Sequence, residues 1–313
     1  AATLFSQAGS SIVIGEASSL TIAADDATLE GDITGEGRLH LNATGGEINT
    51  IRLGGTINLG DYVYVDGGLV ELWNNASLSA RGLVIGADAT FALADTRNVT
   101  LTSLGGSGTL DTGSDQSVAN TITISYGDFA GTLAGSGKLV KTGAERLTLS
   151  GDNSLFAGEI DVQGGDLLVD GNLGAYRINT AGAASIYVAD GMSLTTTALD
   201  GAGDLYINGA LEAERGLFSG SLFGGAAGSL TKSGLGTLEL SGNNLGYAGA
   251  VSVEAGILRV TGANALGTGS VDVALDGILE YATTGGLQAT LSGSGEVRVE
   301  GGLSLYGDTS GFD

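Results

Sequence analysis

Residues 137–169 read GKLVKTGAERLTLSGDNSLFAGEIDVQGGDLLV, and residues 228–260, 91 positions later, read GSLTKSGLGTLELSGNNLGYAGAVSVEAGILRV with no gap between the copies. Fifteen of the 33 aligned positions are identical, and most of these are glycines or alternating aliphatic residues. The charged residue that both copies keep is a lysine, Lys141 and Lys232. Such a repeat is typical of solenoids, in which one unit buries its apolar face only by stacking on its neighbours.

Aliphatic residues alternate with other residues along the whole chain, which predicts short strands with one buried face. Pairs containing glycine, asparagine or aspartate separate these strands about every eight to twelve residues and predict turns. The alternating pairs are Ile12/Ile14, Leu20/Ile22, Leu39/Leu41, Ile57/Leu59, Val63/Val65, Leu147/Leu149, Ile160/Val162, Ile186/Val188, Val251/Val253, Val271/Val273 and Val297/Val299.

The spacing of these pairs inside the repeat favours one all-β architecture over another. A β-sandwich would also give short alternating strands, so the spacing decides: of the pairs that begin at Leu147, Ile160 and Leu167, the first and the third begin 20 residues apart. Three short strands and three turns in about 20 residues make one coil of a right-handed parallel β-helix. The sequence therefore predicts three-strand coils of about 20 residues, and roughly 15 of them.

A shorter signature, glycine–any residue–glycine before a strand, predicts tight corners. A nucleotide-binding loop is the weaker interpretation, because no helix is predicted to follow and receive a phosphate. The five examples are Gly35/Gly37, Gly106/Gly108, Gly135/Gly137, Gly201/Gly203 and Gly293/Gly295.

Composition limits the function classes. The 313 residues include 57 glycines, no proline and no cysteine, and the net charge is −23. The missing cysteines exclude a disulfide framework and thiol metal sites, and the negative charge argues against nucleic acid or an anionic membrane as partner. No apolar run is long enough to predict a membrane-spanning helix. The start lacks a signal-peptide pattern and the end falls inside a repeat-like stretch, so we expect one β-helical fragment, 1–313, of a longer protein.

The repeat copies resemble a known family. The block GSGKLVKTGAERLTLSGDNSLFAGEIDVQGGDLLV, its second copy at 228–260 and a shortened third copy at 293–313 resemble the passenger-associated repeat of bacterial autotransporters. The resemblance implies a passenger domain that crosses the periplasm and outer membrane of a Gram-negative cell. It would then be exposed at the cell surface or secreted. It also implies membrane attachment only through a C-terminal barrel, which is absent from this chain.

Many passengers of this family are adhesins, so the resemblance implies a non-catalytic adhesin that mediates self-association, biofilm formation or attachment. The expected partner is a second passenger on a neighbouring cell, or else a host glycan or matrix protein. Two alternatives stay open. One is a structural spacer that aids secretion and folding; the other is a polysaccharide-active β-helix enzyme, which would need two carboxylates and a basic residue converging in a groove.

Few residues suggest chemistry. His40 is the sole histidine, and its place between Leu39 and Leu41 predicts an outward side chain; without a nucleophile elbow, protease or esterase activity is disfavoured. For Lys141 and Lys232 we expect a stem that covers a corner and an ammonium group in water. We expect no cofactor and no dedicated metal site, although incidental calcium between acids of stacked coils stays open.

Outward aromatic residues are the candidate contact sites. Tyr187 and Tyr206 follow one pattern at a separation close to one coil, so their rings should stack on one exterior face. Tyr62, Tyr64 and Trp73 form the second candidate. Trp73 precedes Asn74-Asn75, a predicted turn, so an aromatic residue that caps a corner is the simpler interpretation there. Such side chains offer a large contact area to a sugar or another chain, whereas stabilisation of neighbouring strands is the simpler interpretation.

Overall fold

Parallel strands account for all the regular structure of the described residues. The computed structural model describes residues 4–44, 49–74, 76–94, 97–114 and 120–313. Contacts between Cα atoms divide the chain into two units, residues 1–159 and 160–313. No helix in the described ranges has the length and apolar character needed to cross a membrane.

The first unit contains sixteen described strands. They are β1 (Leu4–Ser6), β2 (Ser11–Ile14), β3 (Ser19–Ala24), β4 (Asp26–Leu29), β5 (Asp32–Gly35), β6 (Arg38–Ala43), β7 (Thr50–Leu53), β8 (Thr56–Leu72), β9 (Ser77–Ile85), β10 (Ala89–Leu93), β11 (Asn98–Gly106), β12 (Thr109–Asp111), β13 (Thr121–Phe129), β14 (Thr132–Ala134), β15 (Lys138–Lys141) and β16 (Arg146–Leu149).

The strand β17 (Glu159–Val162) begins at the last residue of that unit. The others in the second unit are β18 (Gly165–Val169), β19 (Leu173–Thr180), β20 (Ala184–Val188), β21 (Ser193–Gly201), β22 (Asp204–Ile207), β23 (Ala210–Phe218), β24 (Leu222–Phe223), β25 (Ser229–Lys232), β26 (Thr237–Leu240), β27 (Ala250–Val260), β28 (Ser270–Tyr281), β29 (Gly285–Leu287), β30 (Thr290–Gly293), β31 (Glu296–Val299), β32 (Leu303–Leu305) and β33 (Gly311–Phe312).

In the first unit, each strand pairs in parallel with the strand one coil further along. The strands β4, β5 and β6 follow one another along the chain, and the next strand, β7, pairs with β4. Three strands therefore make one coil. Coil length varies: Thr121 pairs with Lys138 across a coil shorter than predicted, and Asn42 pairs with Gly67 across a longer one. At this long coil the ladder contains a bulge: Leu41 pairs with Val65 and Asn42 with Gly67, so the register shifts by one residue between them.

In the second unit, the second repeat copy shows why the repeat is longer than a coil. Strand β25 pairs with the first half of β27, with Ser229 beside Ala250, and β26 pairs with the second half, with Leu238 beside Leu258. The copy is therefore about one and a half coils, and its own halves stack on each other. The predicted coil length is confirmed by the Leu238–Leu258 pair. The fold class is confirmed as a parallel β-solenoid, with about 14 turns over the described residues.

The interior consists of stacked aliphatic side chains, as the alternation predicts. Burying them is the main favourable contribution to folding, about 0.8 kcal/mol per buried CH₂ group. Ile12, Leu20 and Val297 are only half-buried, and Val299 is 49% exposed. The strand of Val299, β31, has a described partner strand, β28, on one side only, so Val299 lacks a neighbouring coil to cover it. The predicted pairs that are buried at both positions are Leu39/Leu41, Ile57/Leu59, Val63/Val65, Leu147/Leu149, Ile160/Val162, Ile186/Val188, Val251/Val253 and Val271/Val273.

The glycine–any residue–glycine signature forms corners, as predicted. The first glycine has a positive φ, for example +104° at Gly106, which residues with a side chain rarely adopt. The second glycine touches the backbone of the preceding coil: a Cβ added at Gly108 would overlap the carbonyl oxygen of Gly86. The other first glycines have φ values of +123° at Gly35, +89° at Gly135, +117° at Gly201 and +108° at Gly293.

The lysines of the repeat are buried, so the expectation of an ammonium group in water is wrong. Lys141 and Lys232 are both 0% exposed. The Lys232 Nζ donates hydrogen bonds to the carbonyl oxygens of Ser233, of Gly234 at 2.7 Å and of Ala255 at 2.8 Å. Burial lowers the pKa of Lys232, and the nearby charge of Glu214 opposes that shift. These carbonyl oxygens surround the Lys232 ammonium group and accept the hydrogen bonds that water was expected to accept.

The repeat also contains a buried asparagine that its glycine and aliphatic pattern concealed. Asn244 accepts a hydrogen bond from the Leu222 N–H at 2.7 Å, in the preceding coil, and donates to the Ala265 carbonyl at 2.6 Å, in the following coil. Asn153 occupies the same position in the first copy and accepts from the Leu133 N–H. These amides join coils through side chains as well as through the backbone ladders.

Candidate functional site

Three aromatic rings form a stack on one outward face of the second unit. The centroids of Tyr187 and Tyr206 are 4.4 Å apart with planes 6° from parallel, and those of Tyr206 and Phe223 are 4.9 Å apart with planes 17° from parallel. All three side chains are half-buried. We call Tyr187, Tyr206 and Phe223 the aromatic ladder. The predicted stacking of the two tyrosines is confirmed, while their role as a contact surface stays a prediction.

The ladder follows directly from strand register. Tyr187 on β20 pairs with Tyr206 on β22, which pairs with Phe223 on β24, and the residues on either side of each tyrosine point into the core. Neighbouring strands lie about 4.8 Å apart, which is close to the stacking distance of two rings.

Both ends of the ladder are also defined. Leu168 pairs with Tyr187 on the preceding coil, and Gly246 lies beyond Phe223, where an added Cβ would come within 2.6 Å of the Phe223 ring. Sequence reasoning missed Phe223. The residue before Phe223, Leu222, could have indicated it. Leu222 points inward and pairs with Leu205, the inward residue before Tyr206.

The ladder lies beside carboxylates. Asp166, Ser185 and Asp204 are register partners on successive coils and form one column beside the ladder. Burial raises the pKa of the Tyr206 hydroxyl, and the neighbouring Tyr187 and Asp204 raise it further. Tyr206 therefore stays a neutral hydrogen-bonding group at physiological pH, next to negatively charged groups that a ligand or partner must accommodate.

The first unit has its own aromatic cluster, built from Tyr62, Tyr64, His40 and Arg81. The rings of His40 and Tyr64 are parallel within 5° with centroids 4.5 Å apart, and Tyr62 lies 6.0 Å from Tyr64 with its plane tilted by 36°. The Arg81 guanidinium carbon is 5.7 Å from the centroid of Tyr62, a cation–π distance. Gly82 is needed beneath the Tyr62 ring, because a Cβ there would overlap it.

Ion pairs and hydrogen bonds fix this cluster. The Arg38 guanidinium donates to Asp61 at 2.7 Å and holds the pKa of that carboxyl below its usual value. His40 Nδ1 lies 3.0 Å from an Asp66 carboxylate oxygen. His40 points outward, as predicted, and it is half-buried against the ring of Tyr64. Among the described residues, no serine or threonine hydroxyl bonds to it.

Trp73 does not join Tyr62 and Tyr64. It follows the last residue of β8 and packs over Gly54, where an added Cβ would be 3.2 Å from the indole nitrogen. That nitrogen is buried and has no hydrogen-bond partner in the described part of the chain. The structure brings Tyr62 and Tyr64 together, and Trp73 lies apart from them at a corner, as the simpler interpretation of the sequence predicted.

A cavity of about 270 Å³ opens on another face of the second unit. Its lining contains one carboxylate, Asp200, and two guanidinium groups, Arg177 and Arg215. The enzyme alternative requires two carboxylates in one groove, and this cavity does not supply them. The described residues also contain no group of three histidine, aspartate or glutamate side chains placed to hold a metal ion.

Comparison with known proteins identifies the repeat. Residues 139–169 and 230–260 match the passenger-associated-transport-repeat. The chain is 36% identical over 160 residues to the adhesin BmaC autotransporter of Brucella suis biovar 1 (strain 1330), a match that covers 47% of this chain and 4% of that protein. No solved structure matches at a significant level. The resemblance to autotransporter passengers of the adhesin type is thereby confirmed.

Proposed function

We propose that this chain is a non-catalytic, adhesive passenger domain that is exposed on, or secreted by, a Gram-negative cell. The two passenger-associated-transport-repeats and the parallel β-solenoid support this proposal. The proposed activity is association with a second copy of the chain, which would hold neighbouring cells together in aggregates and biofilms. A host glycan or matrix protein is the alternative partner for the same surface.

The aromatic ladder is the observation that carries this proposal. Three stacked rings form a continuous, rigid surface of aromatic carbon and two phenolic hydroxyl groups, held by strands whose inward residues are fixed in the core. Tyrosine lends large contact area at a low cost in conformational entropy and is enriched among the residues that dominate binding energies.

A weak contact between two passengers is sufficient to hold cells together when many copies of the passenger cover each cell. Many passengers on one cell can engage many on the next, and linked weak contacts sum to a strong one. The net charge of −23 opposes close approach of two chains, so the contact must supply enough short-range attraction to overcome the repulsion. An aromatic surface supplies attraction that does not depend on charge.

Sedimentation of the chain over a range of concentrations tests the proposal. We expect reversible association of the native chain, and about 30-fold or greater weakening in the Tyr206→Ser variant, as is typical for a residue at the centre of an interface. Circular dichroism and thermal unfolding would confirm that the variant folds. Cells that display the chain should lose aggregation in the same variant.

Tyr306→Ser is the matched control, because Tyr306 is 68% exposed and lies outside the ladder. Association should be unchanged in this variant. A native chain that stays monomeric at every concentration would overturn self-association. Equal association of the native and Tyr206→Ser chains would overturn the ladder as its contact surface.

The spacer function is supported by a different observation. Several of the side chains that the two repeat copies share are buried, among them Lys232, Asn244, Leu238 and Val253, so the repeat itself contributes to folding rather than to contact. A monomeric chain whose deletion leaves cell aggregation intact but lowers secretion would favour the spacer.

A further inference from the structure

We propose that the cavity between Arg177 and Arg215 binds a sugar through its carboxylate group, as in a uronic acid. The cavity lies on β19, β21 and β23, whereas the aromatic ladder lies on β20, β22 and β24. The proposal is therefore independent of self-association through the ladder, and either can fail without the other.

Strand register creates the cavity. Arg177 on β19 pairs with Ala198 on β21, which pairs with Arg215 on β23, so two long side chains in one column are separated by a methyl group. The gap above Ala198 is the cavity of about 270 Å³, and Tyr176, Asp200 and Gly216 complete its lining. Its volume lies just below the range of pockets for drug-sized ligands, which fits one sugar residue.

The two guanidinium groups differ in their partners, because only one of them is paired with a carboxylate in the part of the chain that the structure describes. Arg177 forms an ion pair with Asp200, with a nitrogen–oxygen distance of 2.9 Å, and Asp200 also accepts a hydrogen bond from the Leu217 N–H at 3.0 Å. Arg215 donates to the Tyr176 hydroxyl at 3.4 Å, and no carboxylate of the described residues forms an ion pair with it. In a chain with 35 acidic and 12 basic residues, an arginine without a carboxylate at a cavity points to an anionic ligand.

The lining selects the kind of anion. A guanidinium group recognises a carboxylate by two parallel hydrogen bonds, which gives Arg215 the role of anchor. Tyr176 is 48% exposed, and its ring can pack against the face of a sugar. Asp200 can accept a hydrogen bond from a sugar hydroxyl, while its charge repels a second anionic group. These groups together favour a ligand with one carboxylate, several hydroxyls and a ring.

Binding of methyl β-D-glucuronide, followed by NMR chemical-shift changes of the whole chain, tests the proposal. Methyl β-D-glucoside, the same sugar without the carboxylate, is the matched ligand. We expect saturable shifts with the glucuronide, weaker at high salt, and affinity for the glucoside lower by about tenfold or more, the effect of losing a charge-assisted pair. Arg215→Gln should lose the same factor, and Arg215→Lys should recover only part of it, because lysine cannot form the paired bonds.

Arg298→Gln is the control for net charge, since Arg298 is an exposed arginine already paired with Glu296 at 2.7 Å. It should bind the glucuronide as the native chain does. Absence of saturable binding by the folded native chain would overturn the proposal. Equal affinity for the glucoside, or glucuronide affinity unchanged by Arg215→Gln, would overturn it as well. Inorganic sulfate displacing the glucuronide at equal concentration would show a general anion site and overturn the assignment to a carboxylate sugar.

Discussion

At the scale of single residues, Gly105 and Gly106 are neighbours that should respond differently to substitution by alanine. Gly106 has a φ of +104°, and an added Cβ would overlap the Ile85 carbonyl, whereas the nearest atom to a Cβ at Gly105 is 3.7 Å away. Gly106→Ala should lower the free energy of unfolding by about 1–3 kcal/mol from backbone strain alone, with steric overlap in addition. Gly105→Ala should change it by less than about 1 kcal/mol. Urea unfolding of both variants measures the difference, and equal stabilities would contradict it.

Tyr247 gives the fold an alkaline limit. It is buried and donates to the Ala250 carbonyl at 3.1 Å, and burial raises the pKa of its hydroxyl well above the usual value. In the unfolded chain the hydroxyl ionises near pH 10, so the unfolded state loses its proton first. The stability that this group contributes is therefore complete below pH 10 and falls as the pH rises above 10, by at most about 1.4 kcal/mol per pH unit.

Tyr247→Phe should reduce this alkaline loss and cost about 1 kcal/mol at neutral pH, where the hydrogen bond disappears. Phe156 occupies the same position in the first repeat copy, so the site accommodates the ring. Denaturant unfolding at pH 7, 9.5 and 11 would measure both effects. Burial also raises the pKa of Tyr281, which leaves a residual slope. An alkaline slope identical to that of the native chain would contradict the role of Tyr247.

At the scale of elements, Asn244 links three successive coils of the second unit through its side chain. Asn244→Ala leaves the Leu222 N–H and the Ala265 carbonyl without their partner in the interior, which should cost about 2–4 kcal/mol. The neighbouring Asn243 is exposed, and its substitution by alanine should cost less than about 1 kcal/mol. Thermal unfolding compares the two. A loss no larger for Asn244→Ala would show that the Asn244 side chain adds nothing to the backbone ladders and the aliphatic core in holding the coils together.

These elements also show how far the sequence could predict the structure. Alternation predicts the strands, and the regular spacing of the aliphatic pairs predicts the coil. Alternation also predicts the outward direction of Tyr187 and Tyr206, because successive side chains in a strand point to opposite faces of the sheet. The sequence could not predict the carbonyl groups around Lys232, since they come from a corner and from Ala255 one coil away. The predicted turn after Trp73 places it at a corner, but alternation could not tell whether its ring joins Tyr62 and Tyr64, because the direction of a corner residue is set by the turn.

At the scale of the whole molecule, the net charge of −23 determines how association depends on salt. Raising the salt concentration from about 0.01 M to about 0.1 M shortens the screening length from about 30 Å to about 10 Å. We expect self-association through the aromatic ladder to strengthen over this range, because like-charge repulsion falls. Glucuronide binding at Arg215 should weaken over the same range. Sedimentation that shows weaker self-association at higher salt would contradict an uncharged contact and indicate ion pairs between chains.

The carbonyl groups that surround the repeat lysines also determine how the folded chain reacts with chemical labels. The sequence contains three lysines, and two of them, Lys141 and Lys232, are fully buried. Among the lysines, an amine-directed reagent should therefore modify Lys138 first in the native state and reach the other two only when the coils around them open. Mass spectrometry of the labelled peptides, as a function of denaturant, would then report the opening of each repeat copy separately, with no engineered probe.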